Sequence, residues 1–448
     1  MEQYPTRRSI LATVVGTGAL GLAGCLGGST AGVDEPSGDW PSFRYDAANT
    51  GRNPDATGPT ENLEMTWGYD IETLRPDVGP SHVSSPIVLG DRVFVAFDFS
   101  VGTDHELETH VVAIDRETGD EDWLESFEFE PEQGPASAAT PAQTLESDGE
   151  TLFIATIVDG ESTLRGLDPE TGKERWSAPL GEVLHSAMTV ADGSLYAGEY
   201  TFAALDATDG HLEHQYEWDG DHDDRPRSLD QYPPTVDDDA VYVGVEDTLY
   251  AWDRDDGSQL WTIESPFESW TDDGGTWFNQ PVVSDDVVYA ATGDIAAQDL
   301  GGIVAVSSED GEFLWETQPD REPGEPTGDV PAPEHAAVYG LPIVLEDTIC
   351  ATGVEYGERG LFGVDREDGS IRWFREDVST IALVAADGVV YAHYNGAIVV
   401  IDPTDGEVLA GGSLEIDTPQ PEGQFPAVVD DYLYVATTDR VGAFGSSP

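Results

Sequence analysis

The stretch Val112-Ala113-Ile114-Asp115-Arg116-Glu117-Thr118-Gly119-Asp120-Glu121-Asp122-Trp123 decides the fold. An apolar run suited to a strand stops at an Asp, whose carboxylate can accept turn amides. A Gly four residues later supplies the positive φ that a tight return needs. A Trp eight residues later stands in the returning strand as a large apolar anchor. The register recurs with Asp168, Asp206, Asp253, Ser307, Asp365 and Asp402 in the place of Asp115. Gly stands four positions on every time, as Gly119, Gly172, Gly210, Gly257, Gly311, Gly369 and Gly406. The eighth position reads Trp123, Trp176, His214, Trp261, Trp315, Trp373 and Ala410.

Upstream of the Asp lies a second hairpin, as in Pro86-Ile87-Val88 with Val93-Phe94-Val95 and Pro281-Val282-Val283 with Val287-Val288-Tyr289. Each unit therefore offers four short strands, and units at this period stack into a closed ring. A last unit, from Pro426 to Phe444, stops after three strands, and Leu63 to Tyr69 can supply the fourth, with Trp67 in the repeat-Trp role. The expected fold is all-β: an eight-bladed β-propeller of four-stranded antiparallel blades, closed by pairing an N-terminal strand with the C-terminal blade, which removes open sheet edges.

The apolar-Ala-x-Asp-x-x-Thr-Gly-x-x-x-Trp register resembles the PQQ-like repeat, and Trp40-Pro41-Ser42-Phe43-Arg44-Tyr45-Asp46 resembles the lead-in to such propellers. The resemblance covers about residues 40 to 445 and implies fold more than function. It spans quinoprotein alcohol dehydrogenases and non-catalytic lipoproteins such as the BamB-like assembly scaffold. The dehydrogenases of that family press their cofactor against a vicinal Cys-Cys disulfide and hold Ca²⁺ beside a catalytic Asp. Here there is no Cys-Cys pair, Cys25 and Cys350 being far apart, and no constellation matches the calcium and base motifs, so no catalytic residue carries over.

The nearest candidate for ligand binding is the loop holding Trp270, Asp272, Asp273, Trp277, Asn279 and Gln280, an aromatic platform with acid and amides. A second loop places Asp221, Asp223 and Asp224 close enough in sequence to offer oxygen ligands to a divalent ion, though without the spacing of a known calcium loop. The histidines His82, His185, His222, His335 and His393 are scattered, with no paired metal-ligand spacing. Cys350 sits in an apolar strand-like run and reads as an inert buried thiol.

Charge narrows the setting. The chain of 448 residues carries 89 Asp and Glu against 19 Lys and Arg, a formal charge of −70, and Lys173 is its single lysine. Nucleic acid is excluded as a partner by repulsion. A compact fold bears such a charge only where salt screens it, and the composition resembles that of proteins from salt-loving archaea.

Arg7-Arg8 ahead of an apolar run ending in Leu22-Ala23-Gly24-Cys25 resembles a twin-arginine export signal joined to a lipoprotein cleavage box. The expected organisation is a signal at 1–24, a lipidated flexible tether at 25–39 and the propeller at 40–448. The functional expectation is a monomeric, non-catalytic binding or assembly scaffold, held by lipid on Cys25 at the outer face of the cell membrane and meeting an envelope protein. No cofactor is expected. The alternatives are a PQQ- and Ca²⁺-dependent dehydrogenase with an atypical site, and an envelope sugar or ion binder.

Overall fold

The computed structural model describes residues 38 to 446, apart from 62, 72–73, 75–78, 102–105, 129–143, 159–160, 181–187, 199–201, 217–232, 268–275, 294–300, 318–336, 339, 356–357, 379, 381, 395–396 and 414–424. Every element in them is a strand, and the strands form eight sheets, antiparallel apart from the short strand Arg52–Asn53. Blade 4 shows the plan: Thr235–Val236, Ala240–Val245, Thr248–Asp253 and Gln259–Glu264 pair in sequence order as strands a to d. Numbered along the chain, blade 1 begins at Ile87, blade 2 at Glu146, blade 3 at Thr189, blade 5 at Val282, blade 6 at Ile343, blade 7 at Leu383 and blade 8 at Ala427. The a strands of successive blades lie against one another, blade 2 on 3, 3 on 4, 4 on 5, 5 on 6, 6 on 7, 7 on 8 and 8 on 1, so they ring the centre and the d strands form the rim. It follows from the meander that a–b and c–d turns share one end of the ring and b–c and d–a connections share the other.

Blade 8 is composite, as the sequence predicts. Ala427–Val429, Tyr432–Ala436 and Arg440–Ser446 are completed by Leu63–Asp70, running antiparallel from Leu63↔Ser446 to Asp70↔Arg440 with a bulge between Met65 and Trp67. The ring thus closes on pairing between residues some 370 positions apart, Asp70 and Arg440, whose side chains also form an ion pair at 2.7 Å.

The repeat register is the joint between blades. Asp115 Oδ1 accepts the amides of Glu117 at 3.1 Å and Thr118 at 2.8 Å, bonds that hold its carboxyl below the usual range. The seven register glycines all have φ between 69° and 76°. Against each lies the ring of the preceding blade's d strand. A Cβ on Gly119 would stand 2.8 Å from Trp67, on Gly172 2.7 Å from Trp123, on Gly311 2.9 Å from Trp261 and on Gly406 2.7 Å from Trp373. His214 covers Gly257 in the same way. The indole N–H then donates to the carbonyl after the register Asp: Trp67 to Arg116 at 2.9 Å, Trp123 to Pro169 at 3.0 Å, Trp261 to Ser308 at 2.9 Å, Trp315 to Arg366 at 3.1 Å and Trp373 to Pro403 at 2.9 Å. Ala410 breaks the pattern for a structural reason. The blade that follows it is blade 8, whose c and d strands come from opposite ends of the chain, so it has no c–d turn and no register glycine to cover.

Three joints carry a second tie. Arg116, Arg254 and Arg366, each following a register Asp, donate through Nε to the hydroxyls of Tyr434, Tyr196 and Tyr289 of the preceding blade, at 2.9, 2.8 and 3.0 Å. Each also pairs with an a–b turn carboxylate there: Asp430, Asp192 and Asp285.

Two outcomes follow. Trp261→Ala removes a ring that is 8% exposed and its N–H bond, and is expected to lower unfolding free energy by about 3–5 kcal/mol in denaturant titrations at molar salt. Deleting 63–69 opens blade 8, and calorimetry should show no cooperative transition rather than a slightly lower one.

Candidate functional site: a filled central channel

The a strand of a propeller blade has no neighbour on its inner side, so its free N–H and C=O groups point into the channel and need partners. Here the chain supplies them itself. Trp40 exchanges both backbone bonds with Val88 of blade 1, at 2.8 and 2.9 Å. Val236 of blade 4 donates to the Ala47 carbonyl at 2.8 Å, Val283 of blade 5 to Ala48 at 3.2 Å and Ala385 of blade 7 to Gly51 at 2.8 Å. Arg52–Asn53 adds a parallel strand to Leu383–Ala386 of blade 7, and Asn53 Nδ2 donates to the Val428 carbonyl of blade 8 at 2.9 Å. With Phe43 against Glu146 of blade 2 and Arg44 on the Pro342 carbonyl of blade 6, residues 40–53 reach seven of the eight blades. A segment of this length meets that many inner strands only by filling the centre.

The segment enters and leaves at the a–b end, where the amide of Gly90 donates to Asp39 Oδ1 and that of Gly58 to the Asp430 carbonyl, both at 2.7 Å. Its tip reaches the start of the a strands, at the d–a end. Phe43 meets Phe425 edge to face at 5.0 Å, and the fully buried Arg44 guanidinium lies 5.5 Å from the same ring. Asn49 Nδ2 donates to the Pro234 carbonyl and to Thr235 Oγ1, both at 2.9 Å. Gly51 has φ +64°, and a Cβ there would stand 2.5 Å from Ile343 Cδ1, so only glycine lets the backbone pass. The tip thus forms the floor of the channel at the d–a end.

Around that floor, polar side chains tie one inner strand to the next. Thr189 donates to the Pro234 carbonyl and Thr235 to Pro281, each at 2.6 Å. Glu146 is buried, and its carboxyl accepts the amides of Ser147 at 3.2 Å and Phe43 at 3.4 Å and bonds the Ser42 side chain. Burial outweighs those bonds and pushes the carboxyl well above its ordinary value.

Of the sequence-derived candidates, Trp277, Asn279 and Gln280 lie together on the connection entering blade 5. Trp277 is half-buried and pairs with Gly293, and Asn279 donates its amide to Ala291. Gln280 is buried and donates through Nε2 to the Pro233 carbonyl at 3.0 Å, a tie between blades 4 and 5. Trp270, Asp272, Asp273, Asp221, Asp223, Asp224, Arg7, Arg8 and Cys25 lie outside the described residues.

Sequence reading missed three features. Glu146 carries no motif. In the c–d turn of blade 3, Asp206, Asp209 and His211 bring ligand atoms within 4.8 Å of one another, enough to hold a cation, although His211 Nδ1 already meets Asp209 at 2.6 Å. In blade 1, Ser126 Oγ lies 2.9 Å from His110 Nδ1 and Glu108 Oε1 2.9 Å from Nε2, while Phe97 stacks on the imidazole at 5.3 Å. The imidazole and Glu108 are both buried, which makes this a polar network inside the blade.

With this geometry in place, the chain belongs to a known family. The model described as outer membrane protein assembly factor BamB matches residues 107–229, 217–373 and 297–445. No curated protein sequence matches the chain. Among solved structures, BamB from Moraxella catarrhalis is similar at 14% identity and a TM-score of 0.56, covering 86% of this chain and 99% of that one. Quinohemoprotein alcohol dehydrogenase from Comamonas testosteroni is similar at 15% identity and a TM-score of 0.66, covering 92% and 81%. A europium-containing methanol dehydrogenase is similar at 13% identity and 0.64, covering 91% and 98%. At such identities the likeness is one of fold.

Asn49→Ala leaves buried acceptors unpaired, and should cost about 1–3 kcal/mol by chemical unfolding. Gly51→Ala is expected to cost more than Gly90→Ala. Both glycines have positive φ, but Gly90 has nothing within 4 Å of the added Cβ.

Proposed function

We propose that the chain is an exported, lipid-anchored propeller that serves as a non-catalytic binding or assembly scaffold at the cell envelope, meeting an envelope protein through the loops at the d–a end. The observation that carries this reading is the filled channel. The central space is taken by 40–53, which leaves partner recognition to the loop face, where a rigid ring displays many variable connections. Belonging to the BamB-described family favours protein–protein contact over chemistry. The twin-arginine and lipobox stretch, the tether and the acidic composition fit a protein folded in salt, exported folded and anchored through Cys25.

The second reading, a PQQ- and Ca²⁺-dependent dehydrogenase, rests on the dehydrogenases among the structural neighbours. The residues at hand fit that cofactor poorly. Cys350 is fully buried within blade 6, in a strand next to the a strand, and burial pushes its thiol up to about 12. It is an inert group away from the channel, with no adjacent cysteine to form the disulfide platform.

Two measurements decide between these readings. Titrating the purified protein at molar salt with PQQ and Ca²⁺ should give no saturable quenching of tryptophan fluorescence; saturation at micromolar cofactor would favour the dehydrogenase. Cys25→Ala should move the protein from the membrane pellet to the soluble fraction, and continued pelleting would contradict the anchor.

A further inference from the structure

Among the described residues three carboxyls are buried: Asp98, Glu108 and Glu146. Asp98 accepts the Thr109 hydroxyl and Glu108 meets His110, both within blade 1, whereas Glu146, 1% exposed on the a strand of blade 2, touches the channel segment 103 positions away. Its partners are neutral donors: the Phe43 amide, the Ser42 hydroxyl and the Ser147 amide. Among the described residues, the charged side chains nearest in sequence make other contacts as well. On the channel segment, Arg44 donates to the Pro342 carbonyl, and Asp46 accepts the Thr50 amide and hydroxyl at 2.9 and 2.7 Å. On blade 2, Asp148 accepts the amides of Glu150 at 2.9 Å and Thr151 at 2.6 Å. Blade 3, whose a strand lies against that of blade 2, brings Thr189, which does not titrate in this range.

We propose that Glu146 is a proton-operated latch on the channel segment: protonated, it holds Ser42 and Phe43 at the channel floor, and ionised, it releases them to water. The physical reason is the cost of an ion in a dry site. Three neutral hydrogen bonds favour the carboxylate, but burial outweighs them. Freeing the tip lets water reach the charge and removes that cost. The inference rests on the filled channel alone and stands whether or not the chain is a scaffold.

The sign follows from linkage. The closed state binds the proton more tightly than the open state, whose carboxyl has the ordinary value of 4.5. Opening is therefore favoured as pH rises above 4.5 and levels off once pH passes the closed-state value. Between those limits one proton is linked, so the opening constant rises about tenfold per pH unit.

Hydrogen exchange of 40–53, corrected for the intrinsic pH dependence of exchange and measured at molar salt from pH 4 to 9, reads this directly. Wild-type protection should fall about tenfold per unit over the window and then flatten, while Glu146→Gln should show no such window. A parallel decline in both proteins, or a flat wild-type profile, overturns the latch. Should Glu146→Gln fail to fold, Ser42→Ala replaces it. Removing a donor that favours the ionised form must shift the upper plateau to higher pH, and an unshifted plateau also overturns the proposal.

Discussion

The structure depends on an indole laid flat over a glycine. Each blade is a small sheet with two apolar faces and cannot stand alone, so the fold exists only if neighbouring blades meet at a fixed distance and angle. The register Trp supplies both. Its ring covers a c–d turn that has no side chain in the way, and its N–H reaches the carbonyl beside that turn, so one residue provides burial and orientation together. The glycine is required twice over, for its positive φ and for the space the ring occupies. Around this joint the hydrophobic core divides into clusters, most of which span two blades, such as Phe153 and Ala155 of blade 2 with Leu195 and Leu205 of blade 3, while the largest joins blades 7, 8 and 1 with Trp40 and Tyr45.

A ring built from such joints leaves two faults, and the same end of the chain repairs both. The rim strand of blade 8 comes from 63–70, and the open inner edges are met by 40–53. Folding can finish only after the last blade exists, because Leu63 must find Ser446 and Asn53 must find Val428. The entropy of closing so long a loop is set against a full strand pairing and a network of buried hydrogen bonds.

How much of this was legible depended on whether side-chain identity was needed. The joints were readable because few residues replace Gly at φ near +70°, none with a Cβ fits beneath the ring, and little replaces Trp over it, and even Ala410 becomes intelligible once blade 8 is seen to lack a turn. The three Arg–Tyr–carboxylate ties were hidden, because the same position holds Pro169, Ala207, Ser308 and Pro403 in other blades. The channel filling was hidden for another reason: its bonds at Val88, Val236, Val283 and Ala385 are backbone to backbone, and any residue offers those. Among the candidate site residues, Gln280 lies at the entrance to blade 5 with its amide N–H on the Pro233 carbonyl, a contact that no motif announces. Glu146 escaped notice because one acid among 89 carries no signal until its burial is known.

The central claim, that the ring over the turn glycine joins the blades, is tested most directly by a double-mutant cycle on Trp261 and Gly311. Gly311→Ala combines the backbone strain of φ +71° with a Cβ 2.9 Å from the indole, and removing the ring should relieve the second term only. The account predicts that Gly311→Ala costs several kcal/mol in the wild-type background and about 1–2 kcal/mol, the strain alone, in Trp261→Ala. Equal costs in the two backgrounds would mean that the indole and the glycine do not interact, and the joint described here would not be what holds the ring.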